Sequence, residues 1–130
     1  MFNLKYLAQL VHLTSTVSGR LKDNINPLSA FTACFPAGTL SGAPKRRAME
    51  IIAELEPAPR GIYGGAIGYM DFAGKLDSCI IIRSAIYKEG KYFMQSGAGI
   101  VADSIPEQEC RESLNKIKPV ISAILAGEVS

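Results

Sequence analysis

Along residues 10–17, Leu-Val-His-Leu-Thr-Ser-Thr-Val, the side chains at Val11, Leu13 and Val17 share one parity and those at His12, Thr14 and Thr16 the other. This period of two, rich in β-branched residues, predicts a strand with His12 on its polar face. Asn26-Pro27 then supplies a capping side chain and a first-turn proline for a short helix through about Cys34, closed by Phe35-Pro36. A small-residue loop over 35–43 runs into a second helix opened by Pro44. In that helix Ala48, Ile51, Ile52 and Leu55 recur at three- and four-residue spacing until Pro57 and Pro59 stop it.

After Arg60-Gly-Ile-Tyr-Gly-Gly the pattern returns to strands. One is expected near Ala66–Asp71, a long one over Leu76–Tyr87 and a third from Tyr92 to about Gln95, joined by turns at 72–75 and 88–91 as a three-stranded antiparallel meander. Ser96-Gly-Ala-Gly leads to a final helix, with a capping-box signature at Ser104-Ile-Pro-Glu107 and an apolar face of Ile117, Ile121, Ile124 and Leu125. Pro119 removes a donor within that pattern, which predicts a kink or a division into two helices. The order of elements reads as a single α+β domain over 1–130, with helices covering a mainly antiparallel sheet.

Composition narrows the function classes. Area scaling lets a 14.0 kDa chain bury about 13,600 of roughly 20,300 Å2 on folding, enough for a core. A hydrophobic share of 48% with 20% charged residues excludes disorder, and a net charge of +2 with interspersed signs lacks the basic footprint of a nucleic-acid binder. Cys34, Cys79 and Cys110 are odd in number and lack C-x-x-C spacing, so neither a disulfide framework nor a thiolate metal site is expected, and a reducing cytoplasm fits best. The longest aliphatic run, Ile80–Ile82, is too short for a membrane span, and no secretory signal pattern is present. With His12 the single histidine, any divalent metal needs oxygen ligands.

Three groups of residues carry candidate chemistry. Glu109, Glu112 and Lys116, at i, i+3 and i+7, share one helical stripe; they suit either a hard divalent ion beside an anionic ligand or an ordinary solvated face with a Glu112–Lys116 ion pair. Gly97-Ala98-Gly99 lets backbone N–H groups approach an anion or merely makes a tight turn; it is not a dinucleotide fingerprint, and Gly38-x-x-x-Gly42 is not a Walker loop. Arg83, within Ile80-Ile-Ile-Arg-Ser-Ala-Ile, needs an anionic partner, which is a protein carboxylate or a substrate carboxylate held bidentately. Tyr63, among glycines, can present its hydroxyl to the same ligand or pack on a sheet edge. His12 is a structural histidine or a proton carrier.

Five ordered stretches go further: Pro36-Ala-Gly-Thr-Leu-Ser-Gly-Ala-Pro-Lys45 with Arg47-Ala-Met-Glu-Ile-Ile, Arg60-Gly-Ile-Tyr-Gly-Gly-Ala-Ile-Gly-Tyr69, Asp77-Ser-Cys-Ile-Ile-Ile-Arg-Ser84, Gly97-Ala-Gly-Ile-Val-Ala-Asp-Ser104, and Pro106-Glu-Gln-Glu-Cys-Arg-Glu112 with Asn115-Lys116. Together they resemble the chorismate-utilising enzymes over most of the chain from His12 to Lys116. Thr39 makes the first stretch resemble anthranilate synthase component I more than aminodeoxychorismate synthase, which usually has serine there.

The resemblance implies a Mg2+-dependent lyase that adds ammonia to chorismate and eliminates pyruvate, giving anthranilate in tryptophan biosynthesis. It implies that Glu109 and Glu112 hold Mg2+ directly or through water. Tyr63 and Arg83 would grip the enolpyruvyl carboxylate beside the Gly97-Ala98-Gly99 backbone. Thr39 and His12 would flank the departing ring hydroxyl with His12 handling the proton, and Lys116 is the active-site lysine of the motif. A dianionic substrate calls for these donors, cations and metal.

Family members are much longer, and their α/β sandwich of two sheets includes an upstream segment that supplies a second Mg2+-binding carboxylate pair. This chain is therefore expected to be the carboxy-terminal portion of that sandwich, with half a metal site and with exposed apolar sheet surface that favours self-association. Ammonia would come from solution or from a glutamine amidotransferase subunit. Competing readings are an aminodeoxychorismate or isochorismate synthase-type enzyme, and a catalytically inert remnant or interaction module. The site assignment rests on Arg83 and the two acids of the last helix converging on one cavity sized for a small dicarboxylic ring.

Overall fold

The computed structural model describes residues 3–7 and 10–127, with side chains from residue 15 onward. The elements run β1 (Asn3–Leu7), β2 (Leu10–Thr14), α1 (Pro27–Cys34), α2 (Gly38–Ser41), α3 (Lys45–Leu55), β3 (Ala66–Met70), β4 (Leu76–Ile80), β5 (Ala85–Lys88), β6 (Lys91–Met94) and α4 (Pro106–Gly127). This is an α+β arrangement of helices with small antiparallel sheets, as the residue pattern indicates.

Each described sheet has two strands: β1 with β2, β3 with β4, and β5 with β6. β1, which the period-two pattern does not pick out, pairs with β2 so that Lys5 faces His12. The strand expected over 10–17 stops at Thr14. The expected three-stranded meander is instead two hairpins, because the long strand over 76–87 is interrupted. β4 ends at Ile80 and β5 begins at Ala85, with Arg83 between them at φ 52°, a left-handed conformation that takes the chain out of extended geometry.

The helices follow local chemistry. Asn26 caps α1 by accepting a 2.8 Å hydrogen bond from Ser29 N–H, with Pro27 at the first position. α3 starts at Lys45 and Pro44 caps it, one residue later than expected. α4 begins at Pro106, where the fixed φ of proline suits the first helical position, so Ser104 is not its cap. The Ser104 hydroxyl instead accepts from Val101 N–H at 3.0 Å, closing the preceding turn. Pro119 does not divide α4, which continues as one helix of 22 residues. Only one intrahelical donor is lost, and Asn115, whose carbonyl would have received it, is exposed to water.

No described residue is buried, and the accessible surface is 10918 Å2. A compact protein of this mass exposes about 6,700 Å2, so the expected burial is missed by roughly 4,200 Å2. Two-stranded hairpins cause this, because each leaves faces without a covering layer: Ile67, Tyr69 and Met70 on β3 and Phe93 on β6 are more than half exposed. On α3 the predicted apolar face is likewise open, with Leu55 75% exposed.

Candidate active site

The loop after α1 contains a turn that the hydrophobic pattern does not reveal. Over Gly38–Ser41 the chain forms α2, whose start is held by Leu40 N–H and Ser41 N–H donating to the Ala37 carbonyl at 3.0 and 3.1 Å. Gly42 ends it at φ 110°, and a Cβ there would lie 2.9 Å from the Ala48 side chain, so both the backbone angle and the close approach of α3 require glycine. This short helix presents Thr39.

Across from it, Tyr63 sits in a turn whose N–H donates to Arg60 O at 3.1 Å. Gly64 N–H donates to Ile81 O at 3.0 Å and Ile81 N–H to Gly65 O at 2.9 Å, carrying the β3–β4 pairing up to the turn. The same pairing brings Ile82 and Arg83 beside Tyr63. A fourth segment, Ser96–Gly99, is tied to α4 twice: the Ser96 hydroxyl donates to Ser113 O at 2.6 Å, and Lys116 Nζ donates to Gly97 O at 3.2 Å.

These segments enclose a cavity of about 330 Å3. Its wall contains Thr39, Tyr63, Arg83, Gly97, Ala98, Gly99 and Lys116, so seven of the ten residues singled out from sequence meet at one place. Leu40, Ile80 and Ile82 supply apolar surface. The volume is within the range of small-molecule sites, and few but convergent polar groups are what such sites carry. A larger cavity of about 610 Å3 lies behind the shared wall of Arg60, Tyr63 and Ile82, but its other lining is mostly apolar, including Pro57, Pro59 and Phe93. The smaller cavity is the better candidate because it gathers Arg83 and Lys116 with a hydroxyl and a glycine backbone.

Of the remaining three, the two acids are not in that wall. Glu109 and Glu112 lie on α4 one turn apart, outside the cavity lining, so the expected convergence of both acids with Arg83 on one cavity is not what the structure shows: only Glu112 is joined to the wall, through a 2.6 Å ion pair with Lys116. The side chain of His12 lies outside the described residues. Among the described residues no group of three or more His, Cys, Asp or Glu side chains is gathered for a metal. Glu109 and Glu112 fit a hard cation as a partial set: Mg2+ is commonly bound through one or two carboxylates, with water and ligand oxygens completing the shell.

Arg60 is the site residue that sequence reasoning missed. Its Nε donates to both Glu56 carboxylate oxygens at 3.0 and 2.9 Å, its Nη1 donates to Leu40 O at 2.7 Å, and the guanidinium lies over the Tyr63 ring, 5.7 Å from the centroid. Hydrogen bonds from Arg60 hold the Glu56 carboxyl below its ordinary range, and those to Glu56 raise the Arg60 guanidinium. The available signal was Glu56 four residues before Arg60 across Pro57 and Pro59, a spacing that reads as an ion pair only on a helix, which the prolines exclude.

Comparison with known proteins identifies the chain's relatives. Residues 1–122 match the family described as chorismate binding enzyme. The chain is 54% identical over 121 residues to anthranilate synthase component 1 of Bacillus caldotenax, covering 93% of this chain and 24% of that protein. It is 51% identical over 130 residues to the Acetivibrio thermocellus protein of the same name, covering 99% and 26%, and 50% identical over 126 residues to that of Mycobacterium bovis, covering 97% and 24%. The chain thus spans about a quarter of the length of these curated relatives. With the match running through every segment of the cavity wall, the chain belongs to the chorismate binding enzyme family.

Proposed function

We propose that this chain forms the chorismate-binding wall of an anthranilate synthase component 1-type enzyme, which converts chorismate and ammonia to anthranilate, pyruvate and water. The observation that carries the reading is the 330 Å3 cavity, in which four separate segments bring Arg83 and Lys116 together with Tyr63 and the Gly97–Gly99 backbone. Chorismate carries two carboxylates. A guanidinium binds one bidentately, and glycine N–H groups and a phenol hydroxyl add donors at close range. Thr39 faces the ring hydroxyl from α2, and His12 is assigned the proton transfer at that position.

Mg2+ held by Glu109 and Glu112 would neutralise the second carboxylate. The ion pair at Lys116 brings Glu112 next to the cavity, which supports this placement. Ammonia arrives free or from a glutamine amidotransferase subunit. Exposed, unpaired thiols at Cys34, Cys79 and Cys110 suit a cytoplasmic setting, and among the described residues no helix is long and apolar enough to cross a membrane.

A second reading, an interaction module that binds without turnover, is favoured by the open apolar faces of the hairpins. Calorimetric titration with chorismate, with and without Mg2+, tests the primary reading, followed by anthranilate fluorescence when ammonia and a polypeptide matching the rest of a relative are added. Mg2+-dependent binding and anthranilate formation are expected. No binding in either condition overturns the reading; binding with no anthranilate in the complemented mixture selects the second.

A further inference from the structure

Arg60 touches two separate parts of the cavity wall, at Leu40 and Tyr63, and nothing in the reaction as read above uses it. Its Nη1 reaches the carbonyl of Leu40, the neighbour of Thr39, and its guanidinium carbon lies over the Tyr63 ring, 5.7 Å from the centroid. Its Nε and Nη2 donate to Glu56, which is placed just past the end of α3 with its N–H on Ile52 O. The side chains of Arg60 and Glu56 are only 25% and 31% exposed, more sheltered than the Arg46–Glu50 and Arg47–Glu54 pairs on α3.

We propose that Arg60, oriented by Glu56, is a positioning residue that fixes the separation between Thr39 on α2 and Tyr63 across the substrate cavity. This rests on the chorismate reading of the same cavity. The geometry requires a guanidinium rather than any cation. One rigid plane carries Nε and Nη2 toward Glu56 and Nη1 toward Leu40, while its charge sits over an aromatic ring; an ammonium is a point charge on a flexible stem and holds one such partner well. The charge itself is already matched by Glu56, so Arg60 acts on the ligand through Leu40 and Tyr63. Tyr63 in turn abuts Gly97, so a displaced phenol reaches the anion-binding backbone as well.

The test uses the 130-residue chain, 15N-labelled, carrying Arg60→Lys, Arg60→Gln or Glu56→Gln, with chorismate as the probe. Amide resonances of Thr39, Leu40 and Gly97 are expected to shift in all three variants without ligand. The chorismate Kd is expected to weaken about tenfold in Arg60→Gln and less in Arg60→Lys, with the far-ultraviolet dichroism unchanged. A wild-type Kd in Arg60→Gln overturns the proposal, whatever the amides do. If the unmodified chain binds no chorismate, the functional reading fails by itself, and the Thr39, Leu40 and Gly97 shifts alone decide for or against Arg60. If the Arg60 variants lose their helical dichroism, Glu56→Gln, which leaves the guanidinium in place, decides by the same resonances and Kd.

Discussion

The hydroxyl of Tyr63 rests against the backbone of Gly97, so closely that a Cβ added at Gly97 would lie 3.2 Å from it. The two residues come from segments 34 positions apart and meet only at the cavity. Gly97→Ala is expected to push the phenol aside by a few tenths of an ångström, since the far end of a side chain yields more easily than backbone. Chorismate affinity should fall roughly threefold to tenfold while the unfolding midpoint stays put, a displacement of a contact rather than a loss of packing. Calorimetry and a urea titration of the same variant check both halves.

Arg83 combines a charge in the cavity wall with a left-handed backbone at φ 52°. Arg83→Ala removes the guanidinium, and losing a charge-assisted hydrogen-bonded pair of about 1.5–3 kcal/mol weakens chorismate binding about 10- to 100-fold. Arg83→Gly loses the same group but relaxes the backbone, so it should bind as poorly as Arg83→Ala and be the more stable of the two. Equal affinity in Arg83→Ala and the unmodified chain would remove Arg83 from the ligand.

The Glu112–Lys116 pair is an i,i+4 contact with Glu112 more than half exposed. Its contribution to folding is therefore small, about 0.3–0.5 kcal/mol. Glu112→Gln is expected to leave the urea midpoint nearly unchanged yet abolish the Mg2+ enhancement of chorismate binding. Titrations at several Mg2+ concentrations check this; an intact Mg2+ response means that Glu112 is not a metal ligand.

The Arg60–Glu56 pair sets an acid limit. Glu56 has its carboxyl lowered from the ordinary 4.5 by Arg60, so the folded state binds its proton less readily than the unfolded chain. The pair's contribution to stability is then complete above pH 4.5 and disappears as pH falls through the lowered value. Urea midpoints between pH 6 and pH 3 should drop more steeply in the unmodified chain than in Glu56→Gln. Parallel curves would show that the pair adds nothing.

Roughly 4,200 Å2 of surface beyond that of a compact 14.0 kDa protein is open, and the exposed apolar side chains include Ile67 and Tyr69 on β3 as well as Ile100 and Val101, which are 72% and 69% exposed. Such surface associates. The chain is expected to sediment with a concentration-dependent mass, to bind a hydrophobic dye, and to assemble further in sulfate. A monomer at every concentration with no dye fluorescence would contradict this.

Local chemistry made much of the secondary structure legible. Asn26 and Pro27 start α1, the spacing of apolar residues marks α3 and α4, and the turns at 72–75 and 88–91 separate the strands of two hairpins. The division of the 76–87 run was hidden because Ile80 to Ile86 is apolar throughout, apart from Arg83 and Ser84, and nothing in that pattern signals a positive φ at Arg83. α2 was hidden because Gly38–Ser41 is too short to display a period.

By itself the sequence determined which side chains were available for an anionic ligand, since a guanidinium, an ammonium, a phenol and glycine backbone are chemical identities that do not depend on folding. It also determined the family, through ordered motifs. Only the tertiary structure decided which of these groups share a space: Thr39, Tyr63, Arg83, Gly97 and Lys116 line one cavity, while Glu109 and Glu112 stay on the helix beside it. It alone revealed that Arg60 joins the Leu40 backbone to the Tyr63 ring. The physical reason is that periodicity records which face of one element is apolar, whereas a cavity depends on backbone angles at single residues and on hydrogen bonds between segments as much as 20 positions apart, such as Arg60 to Leu40.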